Sequence, residues 1–376
     1  MYIHQTSDWP NFIWDKEAVD TKLIKVSKAV GFLEGRLSAI GFDVQQQAAV
    51  ETLTHDIVSS SEIEGVVLNS EQVRSSVARR MGVPIANETE PSHYIEGIVE
   101  MMLDAINNNS VPLTDERLFG WHCCLFPTGR SGMMPINVGK YRIDPMAVVS
   151  GTFDREKVHY KAPDAEIVPD EMHKFLEWFN SESTPKDYVK SAIAHFWFVS
   201  IHPFDDGNGR ISRAIADMAL SQADNSSMRY FSISNQINKD KRKYNNMLEQ
   251  CQKGDCNITA WIEWYLDCIL RSIQNAEEML SSILNKAIFW QNNAQTILND
   301  RQKQVLNIYL DGYIGKLTTK KWAKLSEVSI DTAARDIKHL TDAGILIPQN
   351  GKYRNINYGI AISKDIVYTP CADDDE

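Results

Sequence analysis

The chain has 376 residues and a mass of 42.7 kDa, with 43% hydrophobic and 24% charged residues. This balance excludes a largely disordered or collagen-like chain, and the length predicts two or three domains. The net charge of -11 argues against a protein built mainly to coat nucleic acid or an anionic membrane.

Residues 1–110 are predicted to form an N-terminal helical region. Apolar residues recur at helical spacing over residues 23–37 and again over residues 48–57. The spacing of Asn69 and Gln72 is typical of a capping box, which predicts a further helix after it.

Residues 112–275 are predicted to form a helical core with one β-hairpin. Apolar periodicity predicts helices at 115–125, 170–180, 186–200, 211–222, 239–253 and 258–299. Residues 141–143 and 147–150 have strand composition and flank an Asp-Pro-Met turn, so we expect these two segments to pair.

The last part of the chain changes character. From residue 300 to residue 362 there are ten Lys and Arg against six Asp and Glu, a net charge of +4. Predicted helices at 318–325 and 329–343 precede predicted strands at 344–346 and 353–356. This order is that of a winged helix-turn-helix. Residues 363–376 are predicted to be a disordered acidic tail.

The predicted winged helix has a basic face. Its basic residues are Lys320, Lys321, Lys324, Arg335, Lys338, Lys352 and Arg354. Such a face is typical of contacts with DNA phosphates. A packing or protein-contact role is the alternative, because Asp331, Asp336 and Asp342 interrupt the second helix.

The most informative run, IHPFDDGNGRISR, occupies residues 201–213. A proline follows His202, so this histidine is expected at a helix end. Gly207 and Gly209 permit positive φ angles, which let successive backbone N–H groups converge on an anion. A helix that begins near Asn208 adds its positive dipole end at the same place.

The side chains of this run favour phosphorus chemistry. Arg210 and Arg213 are three residues apart on one helix face and suit a polyphosphate. Asp206 offers the hard oxygen that Mg²⁺ on a phosphate prefers, and His202 is a base near neutral pH. Nucleotide-dependent transfer of a phosphorus group is therefore predicted. A purely structural loop, with Asp206 capping the helix, is the alternative.

Residues 202–210, HPFDDGNGR, resemble the signature of Fic-domain proteins, and Arg213 matches its extension. The resemblance extends over nearly the whole chain and is to the long bacterial type. It implies a mainly α fold: an N-terminal inhibitory helix, a Fic core with a small β-hairpin flap, and a C-terminal winged helix-turn-helix. The implied activity is protein adenylyltransferase. It transfers AMP from ATP to a Ser, Thr or Tyr hydroxyl of a target protein or of itself and releases pyrophosphate.

The resemblance also implies individual roles. His202 is the implied catalytic base, and Asp206 is the implied Mg²⁺ ligand. Relatives that phosphorylate carry Lys at the position of Gly209, so this chain is expected to transfer AMP. Many relatives have two tyrosines where this chain has Tyr244 followed by Asn245. The implied ATP-binding residues are Asp206, Gly207, Asn208, Gly209, Arg210, Arg213, Tyr244 and Gln252.

The pattern Ser60-x-x-x-Glu64-Gly65 resembles the inhibitory motif of the same family. By resemblance, Glu64 pairs with Arg213 and blocks the productive position of the γ-phosphate. The alternative is a surface residue at a helix end. The motif leaves open whether the restraint acts within one chain or across a homodimer.

Two other functions remain open at this stage. One is a DNA-binding regulator whose Fic core senses nucleotide, and the other is removal of AMP from proteins, with Glu64 positioning a water. The hairpin is implied to align a target segment by strand pairing, with an ordinary surface hairpin as the alternative. No CxxC pair, apolar span or signal peptide is present in the sequence, so we expect a cytoplasmic protein without a membrane partner.

Overall fold

The computed structural model describes residues 1–38, 41–85, 88–150, 157–310, 315–350, 356–362 and 367–368. Over these residues the chain is mainly helical with small antiparallel sheets, which confirms the predicted fold class. Two compact units are present. One contains Met1–Glu34 and Ala49–Ala276, and the other contains Gly35–Ala48 and Glu277–Glu376. None of the helices described is long and apolar enough to cross a bilayer.

The helices are α1 (Lys16–Ser38), α2 (Phe42–Ile63), α3 (Ser70–Met81), α4 (His93–Asn107), α5 (Asp115–Leu125), α6 (Val168–Asn180), α7 (Tyr188–Ile201), α8 (Asn208–Asp224), α9 (Ile233–Lys239), α10 (Lys241–Gln252), α11 (Thr259–Asn292), α12 (Asp300–Leu310), α13 (Thr319–Leu325) and α14 (Ile330–Asp342). The strands are β1 (Arg130–Ser131), β2 (Met134–Pro135), β3 (Ala147–Ser150), β4 (Lys157–Lys161), β5 (Leu346–Asn350), β6 (Asn357–Ala361) and β7 (Val367–Tyr368).

The first unit is organised around α7 and α8. Every residue of α7 is buried, as expected for a helix that is apolar on all sides. Asp187 caps its first turn by accepting a hydrogen bond from the Lys190 N–H at 2.9 Å. Because α7 packs against α8, the loop of residues 202–207 between them is fixed at both ends.

The predicted pairing of residues 141–143 with residues 147–150 is wrong. Strand β3 instead pairs with β4 in antiparallel register. Residues 141–143 form no strand, because Arg142 is buried and its guanidinium donates to main-chain carbonyls. Its acceptors are the carbonyls of His202 at 2.8 Å, Asp144 at 2.9 Å and Pro163 at 2.5 Å. This segment therefore braces the loop instead of forming the hairpin.

Two other predicted helices differ from the structure only at their ends. The helix predicted at 239–253 is confirmed as α10, which begins after Asp240, and the short helix α9 precedes it. The helix predicted at 258–299 ends at Asn292, and α12 starts anew. Asn299 caps α12, because its Oδ1 accepts from the Gln302 N–H at 2.9 Å while Gln302 Oε1 accepts from the Asn299 N–H at 3.1 Å.

The second unit contains α12 to α14 and a three-stranded sheet in the order β5-β6-β7. Trp322, Ile337 and Ile360 are buried in its core. The strand predicted at 344–346 begins only at Leu346, since Gly344 takes a φ of +73° in the turn after α14. The strand predicted at 353–356 falls on residues of which only 356 is described, and β6 begins directly after it at Asn357. Residues 351–355, which include Lys352 and Arg354, lie outside the described residues, as do residues 369–376 of the acidic tail.

Candidate active site

The loop after α7 places His202 in an uncommon backbone conformation. His202 has φ 52° and ψ 59°, which is the left-handed region that non-glycine residues rarely occupy. Its N–H donates to the Phe198 carbonyl at 3.0 Å, and its carbonyl accepts from Arg142 Nε at 2.8 Å. These two bonds turn the chain sharply and hold the imidazole on the wall of a cavity.

Main-chain contacts also fix the proton on the His202 ring. Nδ1 lies 3.1 Å from the Val199 carbonyl, which can only accept, so Nδ1 carries the hydrogen. In the neutral ring Nε2 therefore holds a lone pair. Burial lowers the pKa of His202, although the carboxylates of Glu64 and Asp206 act in the opposite direction. The ring is consequently a neutral proton acceptor near pH 7.

Asn208 holds the loop together from the inside. Its Oδ1 accepts from the Phe204 N–H at 2.9 Å, and its Nδ2 donates to the Phe204 carbonyl at 2.8 Å. The Phe204 ring is fully buried and stacks on His122 with ring centroids 4.3 Å apart. Because the Asn208 amide is used within the loop, the structure directs it to the loop backbone and not towards a phosphate.

Gly207 begins the anion-binding end of the loop. It takes a φ of +81°, and a Cβ there would lie 2.9 Å from the Phe126 ring, so only glycine fits. The next residues form the first turn of α8, whose N–H groups have no acceptor within the helix. An anion would be stabilised at this helix end by those groups and by the dipole.

Both arginines of α8 are buried, at 4% exposure for Arg210 and 2% for Arg213. Arg210 donates to the Tyr94 hydroxyl at 3.0 Å, and its guanidinium lies over the Phe126 ring at 5.0 Å. Arg213 is held by α2 instead. It donates from Nε to the Ser60 hydroxyl and from Nη2 to the Ser60 carbonyl, both at 2.8 Å.

Glu64 lies at the start of α8, in contact with Arg213 and close to Gly209. Its Oε1 accepts from Arg213 Nη2 at 2.8 Å. The same oxygen lies so close to Gly209 that an added methyl group there would overlap it. The carboxylate therefore already sits at the positive end of α8, where a phosphate would otherwise be stabilised. Gly65 follows directly, in the turn that ends α2.

Two cavities meet at Glu64. One, of about 330 Å³, is lined by residues of β3, β4 and α10 together with His202 and Gly209. The other, of about 380 Å³, contains Asp206 and Arg210. Glu64 lines both cavities. The first has the size of a small-molecule site and the second has the arginine of an anion site.

Tyr244 and Gln252 both line the first cavity. The Tyr244 hydroxyl lies 2.8 Å from His195 Nε2, and burial lowers the pKa of His195 to about 3, so this histidine is a neutral structural partner. Gln252 Nε2 donates to the Ser200 hydroxyl at 3.2 Å. Both polar groups are thereby anchored by neighbouring side chains.

Asp206 is the oxygen donor available to a metal. Its side chain is 41% exposed and accepts from the Gly207 N–H at 2.5 Å and from the Ser131 hydroxyl. In the described part of the chain no group of three or more His, Cys, Asp or Glu is arranged to hold a metal. A hard carboxylate at the edge of an anion cavity suits Mg²⁺ that takes its other ligands from phosphates and water.

Sequence reasoning missed several residues that build the site. His122 accepts from the Gly139 N–H at 3.1 Å and contacts the Asp206 carbonyl at 3.2 Å, and burial lowers its pKa to about 4. It thus ties the loop to α5 as a neutral ring. Tyr94 and Arg142 act similarly. Each stands alone in the sequence, outside any motif, so its role depends on contacts made only in the folded chain.

Comparison with known proteins gives two family matches. Residues 2–83 match a family described as a domain of unknown function, DUF4172, and residues 112–220 match the Fic/DOC family. Among solved structures, a Fic family protein from Desulfovibrio desulfuricans G20 has a TM-score of 0.52 at 18% identity over 90% of this chain and 96% of that chain. A Fic domain containing signaling protein from Bacteroides thetaiotaomicron has a TM-score of 0.50 at 20% identity over 69% of this chain and 96% of that one. These two likenesses concern the fold alone.

Curated relatives match over short segments. A uridine 5'-monophosphate transferase from Xanthomonas campestris pv. campestris is 32% identical over 117 residues, 29% of this chain and 21% of that protein. A protein adenylyltransferase Fic from Drosophila willistoni is 32% identical over 139 residues, 35% of this chain and 25% of that protein. The matched segments thus span about a quarter of these relatives or less. Together with the signature loop between α7 and α8, the family match shows that residues 112–220 of this chain are a Fic domain.

Proposed function

We propose that this chain is a protein adenylyltransferase that transfers AMP from ATP to a Ser, Thr or Tyr hydroxyl of a target protein or of itself. The observation that carries the proposal is the position of His202, which lines the cavity together with Gly209 at the start of α8 and whose Nδ1 contacts the Val199 carbonyl, so that Nε2 is the proton acceptor. The names of two curated relatives, an adenylyltransferase and a uridylyl-group transferase, support nucleotide transfer as the class of reaction.

The chemistry follows from the positions of the groups. His202 Nε2 takes the proton from the acceptor hydroxyl, whose oxygen attacks the α-phosphorus of ATP. A new phosphorus–oxygen bond forms to the acceptor, the bond to the bridging oxygen breaks, and pyrophosphate leaves. The N–H groups of the first turn of α8 stabilise the charge on the α-phosphate oxygens. Arg210 faces the cavity that would hold the outer phosphates.

Mg²⁺ on the phosphates would be held by Asp206 and would neutralise charge on the departing pyrophosphate. The Asp206 carboxylate is kept in place by Ser131 and by the Gly207 N–H, so it is oriented before any ion binds.

Glu64 restrains the reaction in this proposal. Its carboxylate engages Arg213 and lies where phosphate oxygens would approach Gly209, so negative charge already fills that position. A nucleotide whose γ-phosphate has to displace Glu64 pays both charge repulsion and the loss of a charged hydrogen bond, on the order of 1.5–3 kcal/mol. Removing the carboxylate should therefore raise transfer at least tenfold.

The decisive experiment follows label from ATP in wild type, Glu64→Gly and Glu64→Gly/His202→Ala. Protein-bound α-phosphate label should appear strongly in the single variant and be lost in the double variant. Glu62→Gly is the matched control, because Glu62 lies on the same helix but contacts Asn238 at 2.7 Å and not Arg213. Protein-bound γ-label would instead identify a kinase. Accelerated loss of AMP from modified protein by wild type, but not by Glu64→Gly, would favour AMP removal.

A second candidate function is DNA binding by the second unit, which we propose to be a winged helix-turn-helix. One observation favours it. Asp336, which interrupts the basic face in the sequence, is buried and makes two bonds with Arg301 at 2.7 and 2.9 Å. The exposed side of α14 carries Arg335 and Lys338 together with Asp331 and Asp342. This proposal is tested separately from the transfer reaction, as argued in the Discussion.

A further inference from the structure

A chain of three polar side chains forms part of the wall of the 330 Å³ cavity. Ser150 of β3 lies 2.5 Å from His159 Nε2, and His159 Nδ1 lies 2.6 Å from Glu249 Oε2 of α10. All three residues line the cavity that also contains His202. No step of the proposed reaction uses them.

The backbone of the hairpin aims His159 at this wall. Val149 pairs with Val158 but Val148 pairs with Tyr160, so His159 is the extra residue of a β-bulge. Bulges turn a side chain away from the direction that strict alternation would give it, and they are common beside active sites. The bulge therefore places the imidazole between Ser150 and Glu249.

The hydrogens along the chain can be assigned. Hydrogen bonds from Lys253 and from His159 hold the pKa of Glu249 at about 2, so this carboxylate is ionised and can only accept. His159 Nδ1 must then donate to it, and a ring that carries this single hydrogen offers Nε2 as an acceptor. Ser150 donates its only hydroxyl hydrogen to that nitrogen. The Ser150 oxygen consequently has only lone pairs left for a ligand.

The rest of the cavity suits a flat base. Val148, Val149 and Leu248 supply apolar surface, and Tyr244 supplies an aromatic face. Such a slot holds any nucleobase by its faces but does not distinguish one from another. Selection of one nucleobase over another has to come from a polar group at the edge of the base. A polar group whose hydrogen positions are fixed distinguishes the bases best.

We propose that Ser150, set as a pure acceptor by His159 and Glu249, selects nucleotides whose base carries an exocyclic amine at the adenine N6 or cytosine N4 position. An amine there can donate to the Ser150 oxygen, whereas the carbonyl of guanine or uracil would meet a lone pair. The inference rests on the proposed function in taking the cavity as the nucleotide site. It adds which triphosphate the site accepts, namely ATP before GTP or UTP. Ser150 is a specificity-determining residue in this account, and His159 and Glu249 are positioning residues.

The test measures binding, which requires no transfer. Calorimetry compares the α,β-methylene analogues of ATP and GTP on the Glu64→Gly protein, in which the cavity is not obstructed by the carboxylate. We expect at least about tenfold tighter binding of the adenine analogue, the worth of one well-made hydrogen bond against one unmade. Ser150→Thr and Ser150→Val form a matched pair, because both are β-branched and suit a strand while only threonine keeps the hydroxyl.

Each outcome decides the matter. Selectivity retained in Ser150→Thr and reduced to within about threefold in Ser150→Val would support the inference. Equal or tighter binding of the guanine analogue would overturn it. So would a loss seen with 2'-deoxy-ATP but not with a changed base, since Ser150 would then contact the ribose. Absence of binding by either analogue would overturn both the nucleotide site and the inference. Selective binding without any protein-bound label would defeat the proposed transfer alone.

Discussion

At the residue scale, the proposed base differs from a histidine oriented by a carboxylate. His202 Nδ1 donates to a neutral carbonyl, that of Val199, and this contact raises the basicity of the ring less than an ionised partner would. Burial prevails, and the pKa of His202 lies below its ordinary value of 6.5. The orientation of the ring comes from the left-handed backbone at His202, which the bonds of Arg142 hold in place.

The depressed pKa of His202 predicts the pH dependence of transfer. The base acts in its neutral form, so activity is lost only when acid protonates it. Because the pKa is lowered, Glu64→Gly protein with saturating ATP should keep its rate at pH 6.5 and lose it only at more acidic pH. The measurement is initial incorporation of α-label between pH 5 and pH 8. A rate already halved at pH 6.5 or above would show that His202 has an ordinary or raised pKa.

The residues of the signature could be predicted because they are neighbours in the sequence, and this closeness alone brings them together in the folded chain. Gly207 and Arg210 follow His202 within one loop and one helical turn, so their proximity needs no tertiary contact. Asn208 is the first residue of α8, and its amide serves the loop backbone, which residue type alone does not reveal. His122 could not be predicted, since it reaches the loop from α5, 84 positions away from Asp206.

At the element scale, two pairs of polar side chains connect α2 with α8, and the members of each pair are spaced alike along their helices. Asp56 and Ser60 are four residues apart on α2, and Arg213 and Asp217 are four apart on α8, so each pair shares a face. Ser60 accepts from Arg213, and Asp56 hydrogen-bonds the Asp217 carboxyl. Asp56 also accepts from the hydroxyls of Ser232 at 2.5 Å and Ser234 at 3.1 Å. The helix that carries Glu64 is thus positioned by buried polar contacts.

The Asp56–Asp217 contact predicts a pH-dependent stability. Burial and the neighbouring Asp56 raise the pKa of Asp217 well above its ordinary value, so the folded chain keeps a proton that the unfolded chain releases. Stability contributed by this acid therefore falls as pH rises from about 4 towards the raised pKa. In Asp217→Asn an amide N–H can donate to Asp56, so the contact no longer requires a protonated carboxyl group. Its unfolding midpoint at pH 7 should be about 2–4 °C higher than that of wild type, which corresponds to roughly 1 kcal/mol.

Thermal unfolding monitored by circular dichroism from pH 4 to pH 8 tests this prediction. The advantage of Asp217→Asn should increase with pH, whereas Asp170→Asn, which changes an exposed carboxylate on α6, should follow the wild-type slope. If Asp217→Asn were less stable than wild type at every pH, the two acids would not share a proton in the folded chain.

Helices and strands whose bounds are marked by neighbouring residues in the sequence were predicted well. Those that depend on contacts with residues distant in the sequence were not. Helix α5 was predicted with its observed bounds, since Thr114 and the acidic first turn mark its start. The partner of β3 was missed because Arg142 is held by the loop after α7, a tertiary contact that overrides the strand composition of residues 141–143. The helix predicted at 258–299 runs past the end of α11 at Asn292, because its periodicity does not reveal that Asn299 caps the next helix.

At the scale of the whole molecule, charge is distributed unevenly along the chain. Residues 300–362 carry a net charge of +4 within a chain of -11. An excess of that size gives a modest attraction to phosphates, so the arrangement of the charges decides whether DNA binds. On α14 the inward-facing positions are Ala333, Asp336, Ile337 and Leu340. The opposite side presents Arg335 and Lys338, three residues apart, between the exposed carboxylates of Asp331 and Asp342.

Replacing both residues should therefore weaken binding of duplex DNA. Each phosphate contact contributes about -0.9 to the slope of log affinity against log salt, so Arg335→Ala/Lys338→Ala should make the slope shallower by about 2. The measurement is fluorescence anisotropy of a labelled duplex between 50 and 200 mM salt. Lys25→Ala/Lys28→Ala is the matched control, because these exposed lysines of α1 have the same spacing and remove the same net charge. An equal change in the control would mean that DNA responds to net charge alone. If wild type did not bind DNA even at the lowest salt, the proposed DNA binding would be wrong, and this face of α14 would remain as a protein-contact surface.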